Sequence, residues 1–135
     1  LALRLVSYSG RLVRISGILM LLSFAIILYM TWFLPMDARE GVRTLADQIH
    51  TNTITVAVIV FLLAQIFLLF YFRLTKKIGS YNYTLINLGL GILFGIMSMY
   101  SNIIQSELIN LSERGWMITF LVYLYFLPNL LKSTD

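Results

Sequence analysis

The sequence predicts an all-α integral membrane bundle of four transmembrane helices. Both termini are expected on the cytoplasmic side, with a short amphipathic segment at the N-terminal end. Three observations predict this class. The first is a set of four charge-free apolar stretches, at residues 15–36, 51–72, 78–106 and 115–131. A bilayer's hydrocarbon core takes about 20 apolar helical residues, with a range of roughly 17–25. The second is composition. Of 135 residues, 59% are hydrophobic and 12% charged, and the mean hydropathy is +0.86. An ordinary soluble domain is about 45–50% apolar and about 25% charged, so both departures point to lipid as the solvent. The third is the position of the charges, which collect between the stretches.

The length fits one domain, residues 1–135, with spans near 15–36, 51–72, 82–104 and 115–131. Residues 1–14 are amphipathic: Arg4, Ser7, Tyr8, Arg11 and Arg14 lie near one helical face, with leucines and valines around the rest. Such a segment either lies on anionic lipid or leads directly into the first span, its arginines anchoring at the headgroups. Gly10 permits a bend there. The first span is too long for a signal-peptide core and lacks a small-residue cleavage site, so it is expected to be retained. It closes at Trp32, Phe33 and Pro35, an interfacial tryptophan followed by a helix stop.

The loop 36–50 carries Val42, Leu45, Ala46 and Ile49 at helical spacing, which predicts a short surface helix. The second span is rich in β-branched residues, but lipid enforces a helix because unpaired backbone groups are costly there. Gln65 is its strongly polar side chain. Phe70, Tyr71 and Phe72 form an aromatic belt before a tight turn holding Arg73, Lys76, Lys77, Gly79 and Ser80. In the third span Gly91, Gly95 and Ser98 make a small-residue stripe suited to close helix approach. Asn87 and Asn102 add interhelical hydrogen-bonding capacity. Residues 105–114 read as a brief outer loop, and Pro128 is expected to kink or end the fourth span. The tyrosines fall mostly near expected interfaces, where an amphipathic ring anchors.

The formal net charge of +4 is explained by topology. With four spans and a cytoplasmic N-terminus, Arg4, Arg11, Arg14, Arg73, Lys76, Lys77 and Lys132 lie inside, and Arg39, Arg43 and Arg114 outside. That asymmetry favours both termini inside. Of these, Arg11, Arg14, Arg73, Lys76 and Lys77 are the expected headgroup and topology residues. A basic pair is too short for a nucleic-acid patch, so no nucleic-acid partner is expected.

Several chemistries are disfavoured. None of the apolar cores contains Asp, Glu, Lys, Arg or His, and coupled transport or voltage sensing usually needs an ionisable residue there. There are no cysteines, and one histidine cannot give bis-histidine haem ligation. His50, with Asp47 and Glu40 nearby, is the only arrangement that suggests a general base or metal ligand. A solvated loop histidine is the simpler reading of it. No catalytic residue, metal or cofactor is expected.

With the spans placed, the chain resembles the domain-of-unknown-function 2569 family of small bacterial membrane proteins. Those have four spans, a basic turn before the third and a short fourth helix. Their fourth span ends in an aromatic-x-Pro-aromatic-x-x-x-Ser pattern followed by basic residues. Phe126, Pro128 and Ser133 match it, while Asn129 stands in the second aromatic place and Thr134 and Asp135 replace the basic tail. The family's Gly-Gly-Trp start of the first span is also missing, with only Gly10 and Gly17 near that place. The resemblance implies a class and no particular activity.

The expectation is therefore a non-catalytic accessory or interaction subunit in a bacterial inner membrane. Its partners would be the lipid bilayer and other membrane subunits or further copies of itself. The alternative is a small oligomeric transporter or channel, with Gln65, Asn87, Ser98 and Asn102 lining one path.

Overall fold

The computed structural model describes residues 10–33, 45–103 and 108–132. Four helices account for nearly all of them: α1 (Arg11–Phe33), α2 (Leu45–Leu74), α3 (Ile78–Ile103) and α4 (Leu108–Lys132). They fall into two compact units, residues 2–64 and 65–135, and the division runs through the unbroken helix α2.

In the first unit, Gly10 begins α1: the Arg14 N–H donates to its carbonyl at 3.0 Å. The helix then buries Val13, Ser16, Met20, Ser23 and Met30, a stripe at three- and four-residue steps. Ser23 Oγ donates to the Ala57 carbonyl of α2 at 2.8 Å, which ties the two helices together. The β-branched run of α2 is helical as expected. Thr53 Oγ1 and Thr55 Oγ1 donate to the carbonyls of Ile49 and Thr51, at 2.7 and 2.9 Å. This back-bonding lets a threonine satisfy its hydroxyl without a partner outside its own helix. Leu45, Ala46 and Ile49, expected in a separate surface helix, belong to the first turns of α2. Val42, Glu40 and Pro35 lie outside the described residues.

In the second unit, α2 is linked to α3 through residues 75–77. The Lys77 N–H donates to the Phe72 carbonyl at 2.9 Å, and the Lys76 N–H to the Arg73 carbonyl at 3.2 Å. That is the Schellman pattern, in which one residue past the helix turns left-handed. Here Lys76 takes that place, with φ 58°. Gly79 and Ser80, expected within the turn, instead sit in the first turn of α3. The local reason is that Lys77 starts the helix, its carbonyl accepting from the Tyr81 N–H at 2.9 Å.

Helix α4 begins at Leu108, so seven of the ten residues of the expected outer loop 105–114 are helical. Leu108, Leu111 and Gly115 extend the three- and four-residue spacing upstream. Pro128 does not end the helix, which continues to Lys132. A proline there removes one backbone donor near the C-terminal end, where few turns remain to be disturbed.

The distribution of polarity is inverted relative to a soluble bundle. Ser16, Ser23, Gln65, Ser80, Thr84 and Asn87 are buried, while Ile18, Phe24, Ile59, Phe70, Ile86, Ile96, Ile118 and Leu121 are among the exposed large side chains. Soluble monomers rarely expose contiguous apolar surface beyond a few hundred Å². Among the described residues, three helical stretches are long and apolar enough to cross a membrane: Arg11–Met30, Gln48–Leu74 and Arg114–Lys132. Helix α3 has the length, with 26 residues. Three asparagines and four glycines dilute its apolar character.

Candidate functional site

Helices α3 and α4 run antiparallel and are cross-linked by polar contacts at four levels. Asn87 Nδ2 donates to the Thr119 carbonyl at 3.1 Å. Thr84 Oγ1 and the Tyr123 hydroxyl lie 3.2 Å apart. Ser80 Oγ donates to the Leu130 carbonyl at 2.9 Å. Lys77 Nζ donates to the Leu131 carbonyl at 2.7 Å. The contributing α3 residues, Ser80, Thr84 and Asn87, recur at four and three residues, so one helical face carries them all. Thr84 Oγ1 also donates to the Ser80 carbonyl at 2.9 Å, and Thr119 Oγ1 to the Gly115 carbonyl at 2.8 Å.

Helix α2 joins this ladder at its upper rung. Gln65 Nε2 donates to Asn87 Oδ1 at 2.7 Å. Asn87 therefore accepts from one helix and donates to another, which uses both ends of its amide. Gln65 Oε1 is buried without a hydrogen-bond partner among the described residues. Ser16 Oγ, in the other unit, has the same status.

The sequence singled out Gln65 and Asn87, and the fold pairs them. Asn102 lies near the end of α3, and its side chain falls outside the described residues. The small-residue stripe continues the inward face of α3. Gly91 is buried, and Gly95 and Ser98 are half-buried. A Cβ added at Gly95 would meet nothing within 4 Å, so no helix among the described residues approaches closely there. The close approach is at Gly115 of α4, where such a Cβ would lie 2.5 Å from Phe94 Cε1. Sequence spacing did not point to Gly115 as a packing residue, because its contact is with a ring on another helix.

Tyr123 departs from the expected interfacial role. It is 0% exposed, and its ring stacks on Tyr83 with centroids 6.0 Å apart and planes 9° apart. Phe126 meets Tyr83 edge-on, also at 6.0 Å. Tyr29, Tyr100 and Tyr125 are exposed. Of the expected headgroup residues, Arg11, Arg14, Arg73 and Lys76 are exposed. Lys77 is half-buried, and its ammonium caps the carbonyl end of α4, where a cation is favoured. Ser80 was read only as a turn residue, and Thr84 and Thr119 went unmarked by the sequence, since a serine or threonine in a helix ordinarily bonds its own backbone.

His50 lies in the second turn of α2, three residues after Asp47, and Glu40 is outside the described residues. Among the described residues no group of three or more His, Cys, Asp or Glu converges. The ladder is made of amides, hydroxyls and one capped ammonium, which suits holding helices in register.

Helices with polar inward faces, apolar outward faces and membrane-spanning lengths define a class, the helical integral membrane proteins. Within that class, comparison with protein-family models, curated proteins and solved structures finds no match.

Proposed function

We propose that this chain is a non-catalytic subunit that packs against other membrane proteins, or further copies of itself, in a bacterial inner membrane. In this reading it crosses the bilayer four times with both termini inside, α3 being the fourth crossing despite its asparagines. One observation carries the reading. The Gln65–Asn87–Thr119 chain turns two amides toward helices of this same chain. What remains on the outside is a surface of large apolar side chains. Such a surface accepts lipid or a partner helix equally, and association in lipid rests on packing and a few hydrogen bonds. Placement in the domain-of-unknown-function 2569 family is part of this proposal, supported by Phe126, Pro128 and Ser133.

The test is extraction of the native protein in mild detergent, followed by mass spectrometry of whatever accompanies it. The expected result is a defined assembly with stoichiometric companion chains or with further copies. A lone monomer with no companion would refute it.

A second reading, a small oligomeric channel or transporter, is favoured by Gln65 Oε1, a buried acceptor with no partner. Replacing Gln65 and Asn87 with Leu in proteoliposomes discriminates between the two. Water or monovalent-ion flux that disappears in the variant supports a pathway; unchanged flux removes it.

A further inference from the structure

At the α2–α3 turn, Phe72, Arg73, Lys76, Ile78 and Tyr81 line a cavity of about 350 Å³ that is open to the outside. We propose that this groove is a binding site for the phosphate of an anionic lipid headgroup. The inference needs only the membrane placement of this turn and is independent of any protein partner.

Four observations carry it. First, the groove holds two cations, and neither Arg73 nor Lys76 has a carboxylate partner among the described residues. Lys77, by contrast, is held by the Leu131 carbonyl, so it shapes the turn and leaves Arg73 and Lys76 to meet an anion. Second, the left-handed turn at Lys76 consumes the backbone N–H groups of Lys76 and Lys77 internally. Anion binding there must come from side chains. A guanidinium presents two parallel donors that match phosphate oxygens, and a lysine adds a compact charge. Third, the groove is apolar beneath the charges. Phe72 is fully buried under it, while Ile78 beside it is 69% exposed and Leu74, next to Arg73, is 74% exposed. Free phosphate gains nothing from such surface, whereas an acyl chain descending from a headgroup covers it. Fourth, the groove lies at the charged end of α2, a helix long and apolar enough to cross a membrane; in the proposed placement that end meets the headgroups.

The experiment uses the full chain in nanodiscs of phosphatidylcholine, with and without phosphatidylglycerol. Retained lipid is read by native mass spectrometry on release. Wild type is expected to keep phosphatidylglycerol in preference to phosphatidylcholine. Arg73→Gln with Lys76→Gln is expected to weaken that retention roughly thirtyfold, each cation contributing about fivefold. Arg73→Lys keeps the charge without the paired donors and should fall between. Arg114→Gln, an exposed charge near the N-terminal end of α4 and away from the groove, should match wild type. Circular dichroism confirms that each variant keeps its helix content. Inorganic phosphate alone forms a separate arm. Retention that survives the double variant overturns the proposal. So does phosphate binding that depends on Arg73 when phosphatidylglycerol is not retained, because the groove then serves a soluble anion.

Discussion

The ring of Phe94 on α3 occupies the space that a side chain at Gly115 of α4 would need, with Cε1 only 2.5 Å from the Cβ position. Gly115 is therefore where α4 leaves room for a ring from α3. Gly115→Ala gains helix propensity, about 1 kcal/mol. It also forces Phe94 outward, and overpacking typically costs about 1–3 kcal/mol. A net loss of stability is expected in a detergent unfolding titration. Adding Phe94→Ala should abolish the penalty of Gly115→Ala, because the ring that clashed is gone. Equal penalties with and without Phe94 would show that the contact does not control packing.

Asn87 bonds both α2 and α4, whereas among the described residues Gln65 bonds only Asn87. Interhelical hydrogen bonds in membranes average about 0.6 kcal/mol, with a maximum near 1.7. Asn87→Leu is therefore expected to destabilise more than Gln65→Leu, because it also strands the Gln65 amide. The double variant should cost less than the sum of the two. Additive penalties in the same titration would mean that the two amides are not coupled.

Tyr123 tests how much of the lower ladder is packing. Thr84 keeps its bond to the Ser80 carbonyl when the phenol hydroxyl is removed. Tyr123→Phe is thus expected to cost less than about 1.5 kcal/mol, the upper end for a neutral hydrogen bond. Tyr123→Ala, which empties a fully buried site, should cost about 3–5 kcal/mol. A large loss from Tyr123→Phe would shift the weight to the hydroxyl pair.

Lys76 adopts a backbone conformation that costs a residue with a Cβ roughly 1–2 kcal/mol. Lys76→Gly removes that strain and should raise the unfolding midpoint in a zwitterionic detergent, which supplies no anionic headgroup. The same substitution should weaken lipid retention at the adjoining groove. Stability and binding would then move in opposite directions at one position, which a purely structural lysine would not produce.

Spacing and composition were enough to predict long apolar helices, though not where they begin, because the bilayer's intolerance of unpaired backbone groups leaves few alternatives to a helix. They also marked Gln65 and Asn87, since amides are scarce in apolar helices and need partners. They carried the turn on to Gly79 and Ser80, which instead begin α3, and did not mark Lys76 as its left-handed residue. A Schellman turn is set by where the preceding helix stops, and Phe72 and Arg73 supply its carbonyls. They also put Tyr123 at an interface, because a tyrosine near the end of an apolar run looks the same in sequence whether it faces headgroups or a neighbouring helix.

Lipid as the solvent, the presence of long apolar helices and the scarcity of ionisable groups inside them are properties of the chain itself. The physical reason is that transfer into hydrocarbon depends on residue type and run length, both local. Which face of α3 turns inward, that Asn87 joins three helices, that Gly115 and not Gly95 meets a ring of the neighbouring helix, and that Arg73 and Lys76 share a groove were decided by packing. Each depends on the rotation and register of one helix against another. Those are set by the shapes of side chains far apart in sequence, so no local pattern contains them.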